Sequence, residues 1–166
     1  LVDLDRQVDR TLCALRPDGV ILTPSLCDDP RVLRALQAQA TPVVRLSPCV
    51  DEGPVVRIHE RQAAQQVVQH LLALGHRRIG FVRGPTDQIA SAWRLQGYEC
   101  ALAAAGLRST WQADGDFTFE SGLRAAERLL ALRRRPTAVF AANDDMALGL
   151  LAGVEARGLR VPQDLS

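Results

Sequence analysis

Residues 136–149, Pro-Thr-Ala-Val-Phe-Ala-Ala-Asn-Asp-Asp-Met-Ala-Leu-Gly, run from an apolar strand through a polar corner into a helix, and their reading decides the fold. Ala138, Val139, Phe140 and Ala141 form a run of strand length behind Pro136, a residue that has no place inside a helix. Asn143, Asp144 and Asp145 then supply capping chemistry: short polar side chains accept from the free N–H groups of a helix's first turn, and acids there complement its positive dipole end. Met146, Ala147 and Leu148 begin that helix. In an open α/β sheet the carboxyl ends of the strands face the ligand crevice, so this corner points to where a small molecule would bind.

The same alternation repeats on either side. Toward the amino terminus, 120–132 reads as helix, Gly115-Asp116-Phe117 as a loop, 111–114 as a strand, and 93–105 as a helix with Ser91 as its N-cap and Gly106 at its end. Ile79 to Val82 is a strand. Within 61–74, Ala64, Val67, Val68, Leu71 and Leu72 form an apolar stripe, and Gly75 suits the left-handed turn that closes a helix. Val55 to Ile58 is extended, 47–54 is a loop, and Val43 to Leu46 is a strand. Pro30 starts a helix whose face carries Val32, Leu33, Leu36 and Ala40. Before it come the turn Thr23-Pro24-Ser25, a fully buried strand Val20-Ile21-Leu22, and a helix spaced by Val8, Thr11, Leu12 and Leu15. Beyond the opening stretch, the helix 146–157 stops at Gly158 and the chain reaches Ser166 with its sheet incomplete. Strands alternating with helices predict an α/β fold of parallel sheets with right-handed crossovers, covered on both faces. A subdomain boundary falls just beyond Ile58, giving segments 1–58 and 59–166.

The 166 residues are 47% hydrophobic and 23% charged, which suits one folded domain or two small ones. A formal charge of +1 offers no whole-chain attraction to nucleic acid or an anionic membrane. No apolar run is long enough to span a bilayer, and residues 1–6 lack the basic-then-apolar order of a signal peptide, so the expected location is cytoplasmic. Cys13, Cys27, Cys49 and Cys100 are widely spaced with no CxxC, so they read as packing residues. No metal site or cofactor is expected. The chain opens on Leu1 with a helical pattern under way, as if cut from something longer.

Three motifs then occur in order: Leu72-Ala73-Leu74-Gly75-His76-Arg77-Arg78-Ile79; Ser91 and Arg94 with Gly97-Tyr98; and Asn143-Asp144 with Met146-Ala147-Leu148-Gly149. Asp18-Gly19-Val20-Ile21-Leu22 precedes them, and Gly158 to Pro162 with Asp164 and Ser166 follows. Together they resemble a LacI/GalR-type transcriptional regulator over nearly the whole chain. The resemblance implies the effector-sensing region of periplasmic-binding-protein-like fold, class I type: two α/β subdomains closing on a small molecule, a sugar or related polar metabolite, in the cleft between them. It also implies a homodimer, and operator DNA read by an N-terminal helix-turn-helix headpiece that nothing here resembles. The first strand, helix and second strand of the family's first subdomain are not represented, nor is the region after Ser166.

Arg94 matches the family's effector-binding arginine, and a guanidinium holds carboxylates or hydroxyls through paired planar donors. The alternative is a solvated helix arginine. Asn143 offers a donor and an acceptor at a strand's carboxyl end, suiting a polyhydroxylated ligand; capping alone also explains it. Phe117 stands where the family often has an aromatic that stacks on the ligand, with core packing as the alternative. Ser91 could donate to the ligand or cap its helix, and capping is the preferred reading. Two departures stand out: Ser47-Pro48 where an acid is common, and His59-Glu60 where an Asp often follows the crossing strand. His59, His70 and His76 have no metal-ligand spacing. Arg133-Arg134-Arg135 reads as solvated surface at a helix C-terminus rather than a phosphate site.

An enzyme is one rival, but there is no Gly-rich phosphate loop, no GxSxG elbow and no paired carboxylates with a nucleophile. The closer alternative is the solute-binding protein of a sugar transport system, which shares the fold. Ligand binding is expected to act by shifting a population between two arrangements, and replacing Arg94 by Ala is expected to weaken the effector response while leaving the fold intact.

Overall fold

The structure, a computed structural model, describes residues 4–24, 26, 27, 29–46 and 53–166. Ser25, Ser47, Pro48 and Cys49 lie outside the described residues. The chain divides into two compact units, Leu1–Ile58 and His59–Ser166.

The first unit comprises α1 (Leu4–Leu15), β1 (Val20–Leu22), α2 (Pro30–Ala38), β2 (Val43–Leu46) and β3 (Val55–Val56). Its sheet is parallel in the order β1-β2-β3, with Val20 opposite Val43 and Arg45 opposite Val55. Leu12 of α1, Leu22 of β1, Cys27, and Val32, Ala35 and Leu36 of α2 are buried together. The strand Val20–Leu22 is not fully buried as expected: Ile21 is 67% exposed. Successive strand side chains point to opposite faces, and among the described residues of this unit both helices pack on the face that Leu22 occupies. Leu15, at 72% exposure, likewise lies off the packed stripe of α1. Helix α2 starts as Pro30 predicts, and the Asp29 side chain caps it by accepting from the Arg31 N–H. It stops at Ala38, so Ala40 is a left-handed turn residue (φ 51°) rather than part of the apolar face.

The second unit comprises α3 (Glu60–Ala73), β4 (Ile79–Arg83), α4 (Ile89–Ala104), β5 (Trp111–Asp114), α5 (Phe119–Leu130), β6 (Ala138–Ala141) and α6 (Asp144–Glu155). Its sheet is parallel in the order β5-β4-β6, with Gly80 opposite Trp111 and Phe81 opposite Phe140. The crossover through α4 runs from the central strand to one edge, and the crossover through α5 runs back past it to the other. With right-handed connections these two helices take opposite faces of the sheet, so both faces are covered, as expected for α/β.

Phe81, Tyr98, Leu102 and Met146 are among the largest buried side chains, and the Phe81 and Tyr98 rings stack at 4.9 Å. Each such side chain contributes about 1.5–3 kcal/mol by burial, against roughly 0–1 kcal/mol for an exposed ion pair, so the apolar layers hold the unit. Tyr98 donates from its hydroxyl to the Ile79 carbonyl at 2.8 Å, and burial pushes its pKa up to about 12. Val67 falls off the stripe of α3 and is 41% exposed, whereas Ala64 and Val68 are buried. Gly75 takes the left-handed turn (φ 92°), and His76 Nδ1 meets Thr137 Oγ1 at 2.9 Å. At the outer edge of β6, Ser166 donates to the Thr137 carbonyl and accepts from the Val139 N–H.

Two sequence expectations change here. Helix α4 begins at Ile89, not Trp93, with Gln88 at the cap position, so Ser91 is not an N-cap but a first-turn residue only 3% exposed. The apolar pair Ile89-Ala90 continues the helix backward where Ser91 alone suggests a start. Of the cysteines read as packing residues, Cys27 is buried and Cys100 half-buried, but Cys13 is exposed.

Candidate functional site

The carboxyl ends of β4, β5 and β6 bring the predicted residues to one edge of the second sheet. β6 ends at Ala141 and the chain passes through Ala142 into Asn143, which caps α6. Asn143 Oδ1 accepts from the Met146 N–H at 3.0 Å, and its Nδ2 donates to the Phe117 carbonyl at 3.0 Å. The capping expectation therefore holds, and the same amide fastens the β5–α5 loop to the end of β6. Asp144 and Asp145 are exposed in the first turn, where they complement the helix dipole.

That loop is tightly built. Asp116 accepts from the Thr118 N–H at 3.1 Å, from the Thr118 hydroxyl, and from Arg124 at 3.1 Å. Its own N–H donates to Ser121 Oγ at 3.1 Å. The Thr118 and Ser121 hydroxyls and the Thr118 N–H hold the Asp116 carboxyl down to about 2. Phe117 adopts φ 67°, a left-handed conformation that disfavours any side chain with a Cβ. Its ring lies over Gly84 at the end of β4, where a Cβ would come within 2.2 Å of it. Half-buried, Phe117 also packs against the core, so the core-packing alternative accounts for part of its ring.

Arg94, in the second turn of α4, reaches across the same edge. Its Nε and Nη2 donate to the two oxygens of Glu60 at 2.7 and 2.9 Å, and its Nη1 donates to the Ala142 carbonyl at 2.6 Å. The side chains are 24% and 8% exposed, so Arg94 is not a solvated helix arginine. A guanidinium has five N–H donors; three are engaged here, which leaves two uncommitted. Beside the pair, His59, Glu60, Gln62, Gln65, Trp93 and Gln96 line an open concavity of about 510 Å³. Arg83 of β4 pairs with Asp114 of β5 at the same strand ends.

Arg94, Asn143 and Phe117 thus form one connected edge through Ala142 and the Phe117 carbonyl. Ser91 is enclosed within α4's packing. Sequence reasoning noted Glu60 only as a departure, and its signal, an acid in a helix's first turn, is equally that of dipole complementation. Gly84 and Ser121 carry no motif. Among the described residues no cluster of His, Cys, Asp or Glu could hold a metal ion, and no helix is long and apolar enough to cross a membrane.

Residues 3–166 match the family described as periplasmic binding proteins and sugar binding domain of LacI family. Catabolite control protein A of Priestia megaterium is 38% identical over 153 residues, covering 89% of this chain and 46% of that protein. The HTH-type transcriptional repressor CytR of Escherichia coli strain K12 is 46% identical over 117 residues, covering 69% of this chain and 34% of the repressor. Among solved structures, a complex of the transcriptional regulator CelR with cellobiose superposes with a TM-score of 0.83 at 36% identity, covering 98% of this chain and 51% of that chain. The chain spans half or less of the length of these curated relatives.

Proposed function

Because this chain belongs to the family of periplasmic binding proteins and LacI-type sugar-binding domains, we propose that it is the effector-sensing region of a homodimeric, cytoplasmic transcriptional repressor. In that reading a helix-turn-helix headpiece elsewhere in the protein reads the operator, and the effector is a sugar or related polar metabolite. Relatives named as HTH-type repressors favour this over a transport binding protein. They also favour it over an enzyme. The cellobiose complex of CelR supports a carbohydrate as the ligand class.

The observation that carries the reading is the connected edge of Arg94, Asn143 and Phe117. Arg94 contributes its two remaining N–H donors to ligand hydroxyls, held in place by Glu60 and the Ala142 carbonyl. Phe117 contributes a ring face that stacks on a sugar plane. Asn143 acts chiefly by fixing that ring's loop, since both its polar groups are engaged. Ser91 makes at most an indirect contribution. An effector that prefers one conformation of the sensor then shifts the repressor between operator-bound and released populations, and one binding both equally would shift nothing.

The test is calorimetric titration of the complete protein with a panel of mono- and disaccharides that includes cellobiose. One class should bind, and Arg94→Lys, which keeps a cation beside Glu60 but loses the planar fork, should weaken it by roughly 10–100-fold, as expected for losing charged hydrogen bonds worth about 1.5–3 kcal/mol. Unchanged affinity in that variant would sink the assignment.

A further inference from the structure

The opposite edge of the second unit's sheet carries a concentration of positive charge that effector sensing leaves unused. There α3, α4 and α5 end and hand over to β4, β5 and β6, so the three lead-ins, 74–78, 105–110 and 131–137, meet at one edge. They contribute Arg77, Arg78, Arg108, Arg133, Arg134 and Arg135, with no Asp or Glu. Hydrogen bonds fasten the corners to one another. Thr137 N–H donates to the Arg78 carbonyl at 2.7 Å, Arg78 Nε to the Arg135 carbonyl at 3.0 Å, and Trp111 Nε1 to the Arg134 carbonyl at 2.7 Å. Arg135 is half-buried and the other five are exposed. Among the described residues, the guanidinium groups of Arg108, Arg133 and Arg134 make no hydrogen bond or ion pair.

Arginines at helix C-termini ordinarily offset the negative dipole end, and the size of that effect decides whether it suffices. Three helix ends at about half a charge each sum to about −1.5, and Asp164, whose carboxyl the Arg160 N–H and, more weakly, Arg135 hold below its ordinary range, adds one more negative charge; six arginines still exceed the total by more than about twofold. The surplus is positive charge fixed on a hydrogen-bonded scaffold. The same lead-ins also expose Leu74 at 61% and Leu132 at 44%. A nucleic-acid backbone has nothing to cover leucines, whereas an amphipathic acidic segment offers carboxylates for the guanidinium forks and apolar side chains for the leucines.

We propose that this amino edge of the second sheet is a docking surface for an acidic, leucine-bearing segment of a partner protein, gripped by Arg133 and Arg134 with Leu132 between the two chains. The proposal stands independently of the effector. Its test uses the complete protein and a fluorescein-labelled helical peptide with glutamates on one face and leucines on the other, followed by anisotropy. Binding should weaken by roughly tenfold (about 1.4 kcal/mol) in Arg133→Glu/Arg134→Glu and fall as salt is raised. Leu132→Ser should lose affinity too, with an unchanged circular dichroism spectrum. Absence of peptide binding, binding indifferent to the charge reversal, or a mixed-sequence DNA duplex bound as tightly as the peptide would each overturn it.

Discussion

Replacing Arg94 by Ala is the obvious way to probe the proposed effector edge, and the structure predicts that it also weakens the fold. The guanidinium spans from α3 to the end of β6, donating twice to Glu60 and once to the Ala142 carbonyl. With Glu60 only 8% exposed, removing Arg94 leaves a carboxylate enclosed without its cation and a carbonyl without its donor. Breaking a buried ion pair from one side costs about 3–5 kcal/mol. Arg94 retains 24% exposure, through which water can partly re-solvate Glu60, so the lower end, about 3 kcal/mol, applies. Glu60→Gln should cost less, about 1–3 kcal/mol, because the arginine keeps Ala142 and some solvent. In the double variant Arg94→Ala/Glu60→Gln no buried charge remains, so it should cost less than Arg94→Ala alone, falling short of the sum of the singles by more than the Glu60→Gln cost of about 1–3 kcal/mol. Urea unfolding, followed by far-ultraviolet circular dichroism with m-values compared, measures all four proteins. Singles that each cost under about 0.5 kcal/mol, the range of ordinary surface substitutions, or costs that simply add, would refute the coupling. The consequence for function is practical. Arg94→Ala confounds stability with binding, whereas the double variant separates them by keeping the fold and losing the effector.

Two further outcomes follow from the second unit's packing. Gly149 in α6 has the Phe119 carbonyl oxygen 1.9 Å from where a Cβ would sit, and Gly122 in α5 meets the Met146 carbonyl at 2.1 Å; Gly149→Ala should therefore destabilise by about 1–3 kcal/mol or more through overpacking, outweighing a helix-propensity gain of about 1 kcal/mol, and a higher thermal midpoint would contradict this. Tyr98 is the sole tyrosine, so absorbance near 295 nm reports it alone: its folded pKa, raised to about 12 from 10.0, means that its stability contribution is complete below pH 10 and is lost as pH rises toward 12, an alkaline loss of roughly 3 kcal/mol at 1.36 kcal/mol per unit that Tyr98→Phe should abolish.

What could be read from the sequence was what local spacing determines. Pro30, Gly75, Gly106 and Gly158 mark real turns or starts because φ preferences act on single residues, and Asn143 caps α6 because its side chain needs only an N–H three residues on. The failures are tertiary. Ser91 has N-cap chemistry, but capping depends on where the helix starts, and α4 begins two residues before it. Val67 and Ile21 have strand or core character and lie exposed. The close crossings at Gly97, Gly122 and Gly149 are invisible because a helical glycine, read alone, signals only weak propensity.

The proposed effector edge shows the same division within single residues. Arg94 was identifiable by type and motif, yet its orientation is set by a carboxylate 34 residues away and by a backbone carbonyl that no side-chain pattern encodes. Phe117 was identifiable as an aromatic after Gly115-Asp116, yet what aims its ring is a left-handed φ. That strained conformation, costing on the order of 1–2 kcal/mol, persists because Asp116 is bound to Thr118, Ser121 and Arg124, and because Asn143 holds the Phe117 carbonyl. Gly84 leaves the space under the ring that any side chain would fill. Strain of this kind survives where neighbouring contacts over-determine it, and here those contacts come from β4, β5 and β6 together. The edge is therefore a preorganised surface whose aromatic and cation are already fixed, so a ligand binding as proposed would cost little further ordering.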